Sequence, residues 1–170
     1  MVASPMGKQS ARALLTTLLV FLVGCDHATK AVAKDTLGPG KIVTLIRGVL
    51  DLRYTENFDT AFSLTRAWPS AAKPVFLTTI AVVTIVTLGV LAYERRKRAS
   101  SAEVLGFTLI LAGALGNVTD RLARGYVVDF IHLSHWPVFN VADVLVVAGV
   151  GLLLTRLSGQ PAAPSPSPPA

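Results

Sequence analysis

Apolar residues are concentrated in four runs, and each run reaches the length of about 20 residues that a membrane-spanning helix requires. The runs cover approximately residues 13–30, 74–93, 104–122 and 138–157. Leu, Val, Ile, Ala and small residues dominate each run, and charged residues lie near its ends. This pattern predicts a membrane all-α bundle of four transmembrane helices, forming a single membrane domain over residues 1–157.

A different pattern lies between the first two runs. Residues 42–46, 49–54 and 61–64 are short, rich in β-forming residues and separated by turn-forming residues. We therefore expect a small β structure within residues 31–73, on the outward (periplasmic) face of the membrane. The segment 158–170 consists mainly of Pro, Ala and Ser, a composition that predicts a disordered tail.

Composition and charge support a membrane protein. The chain has 52% hydrophobic and 15% charged residues and a mean hydropathy of +0.56, which excludes an ordinary soluble domain. The net charge of +6 does not indicate nucleic-acid binding, because the basic residues cluster beside apolar runs, most clearly in Arg95-Arg96-Lys97-Arg98. Basic residues in short loops mark the cytoplasmic side. We expect both termini in the cytoplasm, and the segment 31–73 and the loop 123–137, which contains His132 and His135, outside.

Two carboxylates, Asp129 and Asp143, lie beside the outward ends of predicted spans. An ionisable side chain at the edge of the hydrocarbon is costly and is usually kept for function. Two converging carboxylates can share one proton, so that one activates a water and the other acts as an acid. Asp143 falls in the first turn of the fourth predicted helix, where the helix dipole favours an anion. We interpret the pair as the catalytic dyad of a peptidase, with Asp143 as the ionised member.

Further polar residues accompany the dyad. Asn117, Asp120 and Arg121 lie at i, i+3 and i+4 and so share one helical face, and Asn140 precedes the fourth helix. In hydrocarbon these groups need partners. They either form interhelical hydrogen bonds, with an ion pair from Asp120 to Arg121 or Arg124, or they bind substrate.

The first run carries a second polar pair. Asp26 and Lys30 lie at i and i+4, a favourable spacing for an ion pair. The pair would stabilise the end of the span or anchor the outward β structure. As a third carboxylate near the outer face, Asp26 also competes for a place in the dyad.

Five motifs resemble those of bacterial lipoprotein signal peptidase (signal peptidase II), in order, spacing and topology. They are Asp26-His27-Ala28-Thr29-Lys30, Asn57 with Ala61-Phe62, Gly116-Asn117-Val118-Thr119-Asp120-Arg121, Val128-Asp129-Phe130 and Phe139-Asn140-Val141-Ala142-Asp143. The resemblance covers about residues 14–157. It implies a membrane aspartic endopeptidase of the bacterial inner membrane. That enzyme removes signal peptides from prolipoproteins immediately before the diacylglyceryl-modified cysteine, with its active site near the periplasmic face.

The resemblance also implies residue roles and partners. The catalytic residues are Asp129 and Asp143. The substrate-binding or dyad-positioning residues are Asn57, Asn117, Arg121 and Asn140. The supporting residues are Asp26, Lys30 and Asp120. Diacylated prolipoproteins and membrane lipid are the expected partners of a functional monomer, without cofactor, metal or nucleic acid. The chain departs from the family at Asp59 and Thr60, where Asn57 is usually followed by x-Gly-Ala, and this departure bears on the substrate contacts of the loop.

Three other interpretations remain open from the residues alone. Leu22-Val23-Gly24-Cys25 is similar to a lipobox, in which Cys25 would be lipid-modified and become the first residue of a lipoprotein. His132 and His135 have a zinc-binding spacing, but no third ligand is evident. A small polytopic transporter or a lipid-binding membrane protein would also carry intramembrane charges, although a transporter should distribute them across the bilayer rather than at one face.

Overall fold

The computed structural model describes residues 8–59, 72–95 and 99–158. The predicted strand at 61–64, the basic residues 96–98, Thr60 and the tail from residue 159 lie outside these ranges. Four helices and three strands are described: α1 (Lys8–Leu37), β1 (Ile42–Ile46), β2 (Leu50–Asn57), α2 (Ala72–Arg95), α3 (Ser101–Arg124), β3 (Val127–Leu133) and α4 (Val141–Ser158).

Three of the described helices are long and apolar enough to cross a membrane, over Ala13–Leu37, Val75–Arg95 and Ser101–Arg124. Large apolar side chains such as Val83 and Val86 on α2 and Val147 and Leu154 on α4 are exposed on the surface of the isolated chain. Large apolar side chains exposed in this number mark contact with membrane or partner. The protein is therefore an integral membrane protein, while a fourth span stays a prediction.

Helix α1 continues past Lys30 to Leu37, so the first part of the segment predicted as β structure is helical. The added turns carry Ala33 and Leu37, which are buried against Phe130 of β3. Half-buried apolar residues of the sheet pack around this cluster, among them Leu52. The sheet therefore rests on the end of α1, and this packing extends the helix beyond its predicted span.

The strands form one antiparallel sheet in the order β1-β2-β3. The first two agree with the predicted strands at 42–46 and 49–54. The third comes from the segment 123–137, which we expected to be a loop. The expectation of a loop is wrong, whereas the outward location of the segment stays a prediction. Val127 and Val128 are fully buried in the sheet, and their pairing with Asn57 and Glu56 of β2 is too distant in sequence for local pattern to reveal.

Helix α3 has well-defined ends. Ser100 and Glu103 form a reciprocal capping box at its start. At its end, Gly125 takes the left-handed conformation with φ 81° and donates its N–H to the Arg121 carbonyl. Because the chain reverses at Gly125, β3 returns beside the last turn of α3, and Asp129 is brought back toward Asn117.

Glycines allow α3 and α4 to approach closely. A Cβ on Gly113 would overlap the carbonyl oxygen of Ala142, and a Cβ on Gly149 would lie 2.7 Å from the carbonyl oxygen of Gly106. Small residues of this kind let membrane helices pack backbone to backbone. The first turn of α4, which carries Asp143, is therefore held against α3.

Candidate active site

Asp129 and Asp143 line one cavity of about 940 Å³. Asp129 lies in the middle of β3 with 2% of its surface exposed, and Asp143 lies in the first turn of α4. Asn140 connects them, since its Nδ2 donates to Asp129 Oδ1 at 2.6 Å and its backbone N–H donates to Asp143 Oδ2 at 3.1 Å. Residues predicted to form a dyad thus converge on one cavity through a shared neighbour.

Local backbone structure places Asn140. Phe139 pairs with Ile131 of β3 through hydrogen bonds of 2.8 and 2.9 Å, so the segment after β3 folds back beside the strand. Asn140 then precedes α4, and its Oδ1 accepts from the Asp143 N–H at 3.1 Å. Together with the reverse bond from the Asn140 N–H, this forms a reciprocal cap of the helix start. The same cap therefore orients both Asn140 and Asp143.

Asn57 reaches the dyad from β2. Its Nδ2 donates to Asp129 Oδ2 at 2.7 Å, which is the diagonal contact expected when Asn57 pairs with Val127 and Thr55 pairs with Asp129. Its Oδ1 accepts from the Asp59 N–H at 2.8 Å, closing a local turn. The turn is thus present although Asp59 stands where the family usually has glycine.

Asn117 reaches the dyad from α3. Its Nδ2 donates to Asp143 Oδ1 at 2.9 Å. Its Oδ1 accepts from Lys30 Nζ at 3.0 Å and from Asn140 Nδ2 at 3.1 Å. Two donors on the oxygen determine the orientation of the amide, which therefore presents its NH₂ group to Asp143.

Lys30 is the centre of a buried ionic cluster behind the dyad. It is fully buried, and its Nζ lies 2.7 Å from Asp26 Oδ2 and 2.9 Å from Asp120 Oδ2. Arg124 adds a second pair to Asp120, with Nη1 donating to Oδ1 at 3.0 Å. The predicted pairs Asp26–Lys30 and Asp120–Arg124 are both present. Charges removed from water are tolerated when they are paired and hydrogen-bonded.

The cluster also joins separate elements. Asp26 Oδ1 accepts from the Ala142 N–H of α4 at 2.9 Å, and Asp120 Oδ2 accepts from the Val128 N–H of β3 at 3.3 Å. Gly116 makes room for Asp26, because a Cβ there would lie 2.5 Å from Asp26 Oδ2. Asp26 is not among the cavity-lining residues, so its placement supports a supporting role rather than membership of the dyad.

Burial governs the charge of Asp129. Removal from water raises the pKa of its carboxyl to about 7, and the neighbouring Asp143 raises it further. The hydrogen bonds from Asn57 and Asn140 and the charge of Lys30 act in the opposite direction and lower this pKa.

Arg121 lines the same cavity, and its charge acts on both dyad carboxylates. Within the part of the chain that the structure describes, Arg121 donates no side-chain hydrogen bond, so its guanidinium is available to a ligand.

The rest of the cavity wall contains residues that sequence reasoning missed. Its apolar side consists mainly of the segment before α4 and one face of that helix: Trp136, Pro137, Val138, Phe139, Val146 and Val147. Glu56 and His135 add polar groups to the lining. No local signal marks the apolar residues of this wall, since an apolar residue beside or on a membrane helix has the same pattern whether it faces a cavity or lipid.

The other interpretations have less support in the geometry. His132 pairs with Asp51 across the sheet, with Nδ1 and Oδ2 3.6 Å apart, whereas His135 lines the cavity. His132 therefore belongs to a strand rather than to the loop we expected. Among the described residues, no group of three His, Cys, Asp or Glu side chains is arranged to hold a metal ion. Cys25 lies inside the continuous helix α1.

Known proteins are similar to this chain in sequence. The model of the family described as signal peptidase (SPase) II matches residues 18–158. The lipoprotein signal peptidase of Syntrophomonas wolfei is 39% identical over 137 residues, covering 81% of this chain and 86% of that protein. The lipoprotein signal peptidase of Thermodesulfovibrio yellowstonii is 37% identical over 146 residues, covering 83% and 92%.

Solved structures agree with the fold. A bacterial membrane enzyme determined by the in meso method superimposes with a TM-score of 0.78 at 25% identity, covering 93% of this chain and 95% of that chain. A second bacterial membrane enzyme determined in the same way has a TM-score of 0.76 at 26% identity, covering 88% and 95%. On the family match and these relatives, the chain belongs to the signal peptidase II family.

Proposed function

We propose that this peptidase is an aspartic endopeptidase that removes signal peptides from prolipoproteins immediately before the diacylglyceryl-modified cysteine. Removal of lipoprotein signal peptides is the activity named for its relatives. The observation that carries the aspartic mechanism is the direct contact of Asn140 with both Asp129 and Asp143 in one cavity. Two carboxylates held by the same side chain are placed to act on one water.

The two carboxylates have different surroundings, which suits different roles. Asp143 accepts hydrogen bonds from the Asn140 N–H and the Asn117 amide and lies at a helix start, so its anion is stabilised. Asp129 is held by burial in its protonated form up to about pH 7. Asp143 then removes a proton from the attacking water while Asp129 donates to the carbonyl oxygen. The scissile C–N bond breaks as a proton passes to the nitrogen, releasing a new amine and a new carboxyl group.

The three asparagines would maintain the dyad geometry. Asn57 and Asn140 hold the two oxygens of Asp129, and Asn117 holds Asp143. Lys30 acts one step further away, because it determines which way the Asn117 amide points. Arg121, without a side-chain hydrogen bond to the described residues, is placed to bind substrate carbonyl groups beside the dyad.

The cavity suits an amphiphilic substrate. Its polar end contains the dyad and Arg121, and its apolar side contains Trp136 and the valines of α4. A lipid-modified cysteine presents acyl chains next to a peptide bond. One such molecule can place its peptide bond at the polar end of the cavity and its acyl chains against the apolar side. This match supports diacylated prolipoprotein as substrate, with membrane lipid completing the apolar wall.

We further propose four spans within one domain over residues 1–157 and a functional monomer in the inner membrane. Helix α4 has 18 residues and is therefore about 27 Å long, close to the hydrocarbon thickness of about 30 Å. With the basic run after Arg95 in the cytoplasm, both termini lie inside and the dyad lies near the periplasmic face.

Cleavage of a diacylated lipobox peptide by the purified protein tests the mechanism. Asp129→Asn and Asp143→Asn should each reduce kcat by at least about 100-fold, because an amide cannot exchange the required proton. Asp51→Asn is the matched control on the sheet outside the cavity and should remain close to wild type. Wild-type turnover in either dyad variant would remove that residue from the mechanism. Loss of activity on chelation, restored by zinc, would favour His132 and His135 instead.

A further inference from the structure

A second cavity lies at the end of the bundle opposite the dyad. It has a volume of about 210 Å³ and is formed where α2 ends, α3 begins and α4 ends. The lining residues are Leu88, Leu91, Arg95, Glu103, Phe107, Leu153 and Arg156. None of them takes part in the site described above.

The charged residues of this cavity are two arginines and one glutamate, which leaves a net positive charge. Glu103 binds the Ser100 N–H at 2.8 Å and the Ser100 hydroxyl at 3.0 Å, so the carboxylate is occupied with capping α3. Arg95 Nη1 forms an ion pair with Glu103 Oε1 at 3.7 Å, which is longer than a hydrogen bond and, between partly exposed groups, weak. Arg156 makes no hydrogen bond or ion pair with any described residue. The lining therefore contains two guanidinium groups and one carboxylate, and that carboxylate already accepts hydrogen bonds from Ser100. The cavity thus favours binding of an anion.

The apolar residues lie deeper in the bundle than the charged ones on each of the three helices. Leu88 precedes Arg95 by two helical turns, or about 10 Å. Phe107 follows Glu103 on α3, and Leu153 precedes Arg156 on α4. The cavity is thus basic at the helix ends and apolar toward the membrane interior, which matches a headgroup phosphate above acyl chains.

We propose that this cavity binds one anionic phospholipid, with its phosphate between Arg95 and Arg156 and an acyl chain along Leu88, Phe107 and Leu153. Guanidinium groups bind phosphate oxygens in a bidentate manner. Along α3, Glu103 and Asn117 are separated by about 21 Å, more than the Debye length of about 8 Å at physiological salt. Lipid binding here is therefore independent of the proposed peptidase mechanism.

Native mass spectrometry of the full-length protein in detergent tests the site. Phosphatidylglycerol and phosphatidylcholine with identical acyl chains are titrated separately, and wild type should bind one phosphatidylglycerol in preference. Each arginine contributes on the order of fivefold, so Arg95→Gln with Arg156→Gln should weaken this binding about 25-fold. Arg95→Lys with Arg156→Lys, which keeps both charges, should retain most of it.

Matched variants separate this site from general surface attraction. Lys34→Gln with Arg47→Gln removes two exposed charges at the dyad end and should leave the affinity unchanged. Leu88→Trp keeps every charge and partly fills the cavity, so it should weaken phosphatidylglycerol binding while peptide cleavage continues. Equal binding of phosphatidylcholine, an equal loss in the Lys34 and Arg47 control, undiminished binding by Leu88→Trp, or displacement by inorganic phosphate would each overturn the proposal.

Discussion

Asn140 is the residue on which the dyad geometry depends most directly. It is fully buried, and it contacts Asp129, Asp143 and Asn117, which belong to β3, α4 and α3. A buried amide with partners on three elements cannot be replaced without leaving polar groups unsatisfied. At the scale of single residues, the site is a network of amides that hold two carboxylates.

The pH dependence of cleavage should reflect Asp129. Burial disfavours its anion and raises its pKa to about 7, so the dyad keeps its one proton below that pH and loses it above. We expect kcat/KM to fall above about pH 7, approaching tenfold per pH unit, with an apparent pKa that belongs to the coupled pair. Steady-state rates from pH 5 to 9 measure this. His132→Ala should keep the same alkaline limb, and a profile that stays flat to pH 9 would contradict the assignment.

Lys30→Met should destabilise the protein strongly. The substitution leaves Asp26 and Asp120 buried without their shared cation, and breaking a buried pair costs about 3–5 kcal/mol. Denaturation in mixed micelles measures the free energy of unfolding. Lys34→Met, at an exposed position one turn later on α1, is the matched control and should change stability little. Equal effects of the two substitutions would show that the buried cluster does not stabilise the fold.

At the scale of elements, the contact between α3 and α4 decides where the two halves of the site meet. Asn117 and Asp120 come from α3, while Asn140 directly precedes α4 and Asp143 lies in its first turn. The glycines at 106, 113 and 149 lie where the backbones approach most closely. Because these glycines add no side chain to the interface, the hydrogen bond between Asn117 and Asp143 can form across it.

Gly113→Ala should push the two helices apart. The added methyl group would overlap the Ala142 carbonyl oxygen, which is backbone and cannot rotate away. Overpacking of this kind typically costs about 1–3 kcal/mol, and displacement of Asp143 should also lower kcat. Gly151→Ala, on α4 with no atom within 4 Å of the added Cβ, should leave both stability and kcat nearly unchanged. If Gly113→Ala were as stable and as active as Gly151→Ala, close packing of α3 against α4 at Gly113 would not be needed for the fold or the site.

At the scale of the whole molecule, apolar surface and polar site are separated. Exposed apolar side chains cover the helices, whereas the buried charged residues and Asn140 gather at one end of the bundle, where the sheet packs against α1. A membrane protein concentrates costly polar groups in this way when they serve one site. The sheet and the end of the bundle together enclose the cavity.

The membrane orientation can be tested with reporter fusions. Fusions after positions 98 and 158 should report cytoplasm, because the basic run between α2 and α3 stays inside. Fusions at Pro39 and Ser134, which lie in turns on the sheet side, should report the outer compartment. Cytoplasmic signals at positions 39 and 134 would place the dyad on the side where exported prolipoproteins are not exposed to it.

Several features were predictable from sequence because each depends on local pattern. Runs of apolar residues identified the helices, and the motifs around Asn117, Asp129 and Asp143 identified the family. Spacing alone predicted the pair of Asp26 with Lys30, since residues four apart share a helix face. The membrane class, the peptidase family and the candidate dyad could therefore be named before any contact was known.

The sequence by itself thus determined the membrane setting, most helices and the family, and it predicted the candidate dyad, because hydrophobic length and short motifs are encoded within one segment. Only the tertiary structure decided that β3 joins the sheet, that Lys30 orients Asn117, and that His135 and Trp136 line the cavity. These relations join residues from separate elements, some of them more than 80 positions apart. Such contacts arise from how the helices and strands pack, and no periodicity within a single segment records them.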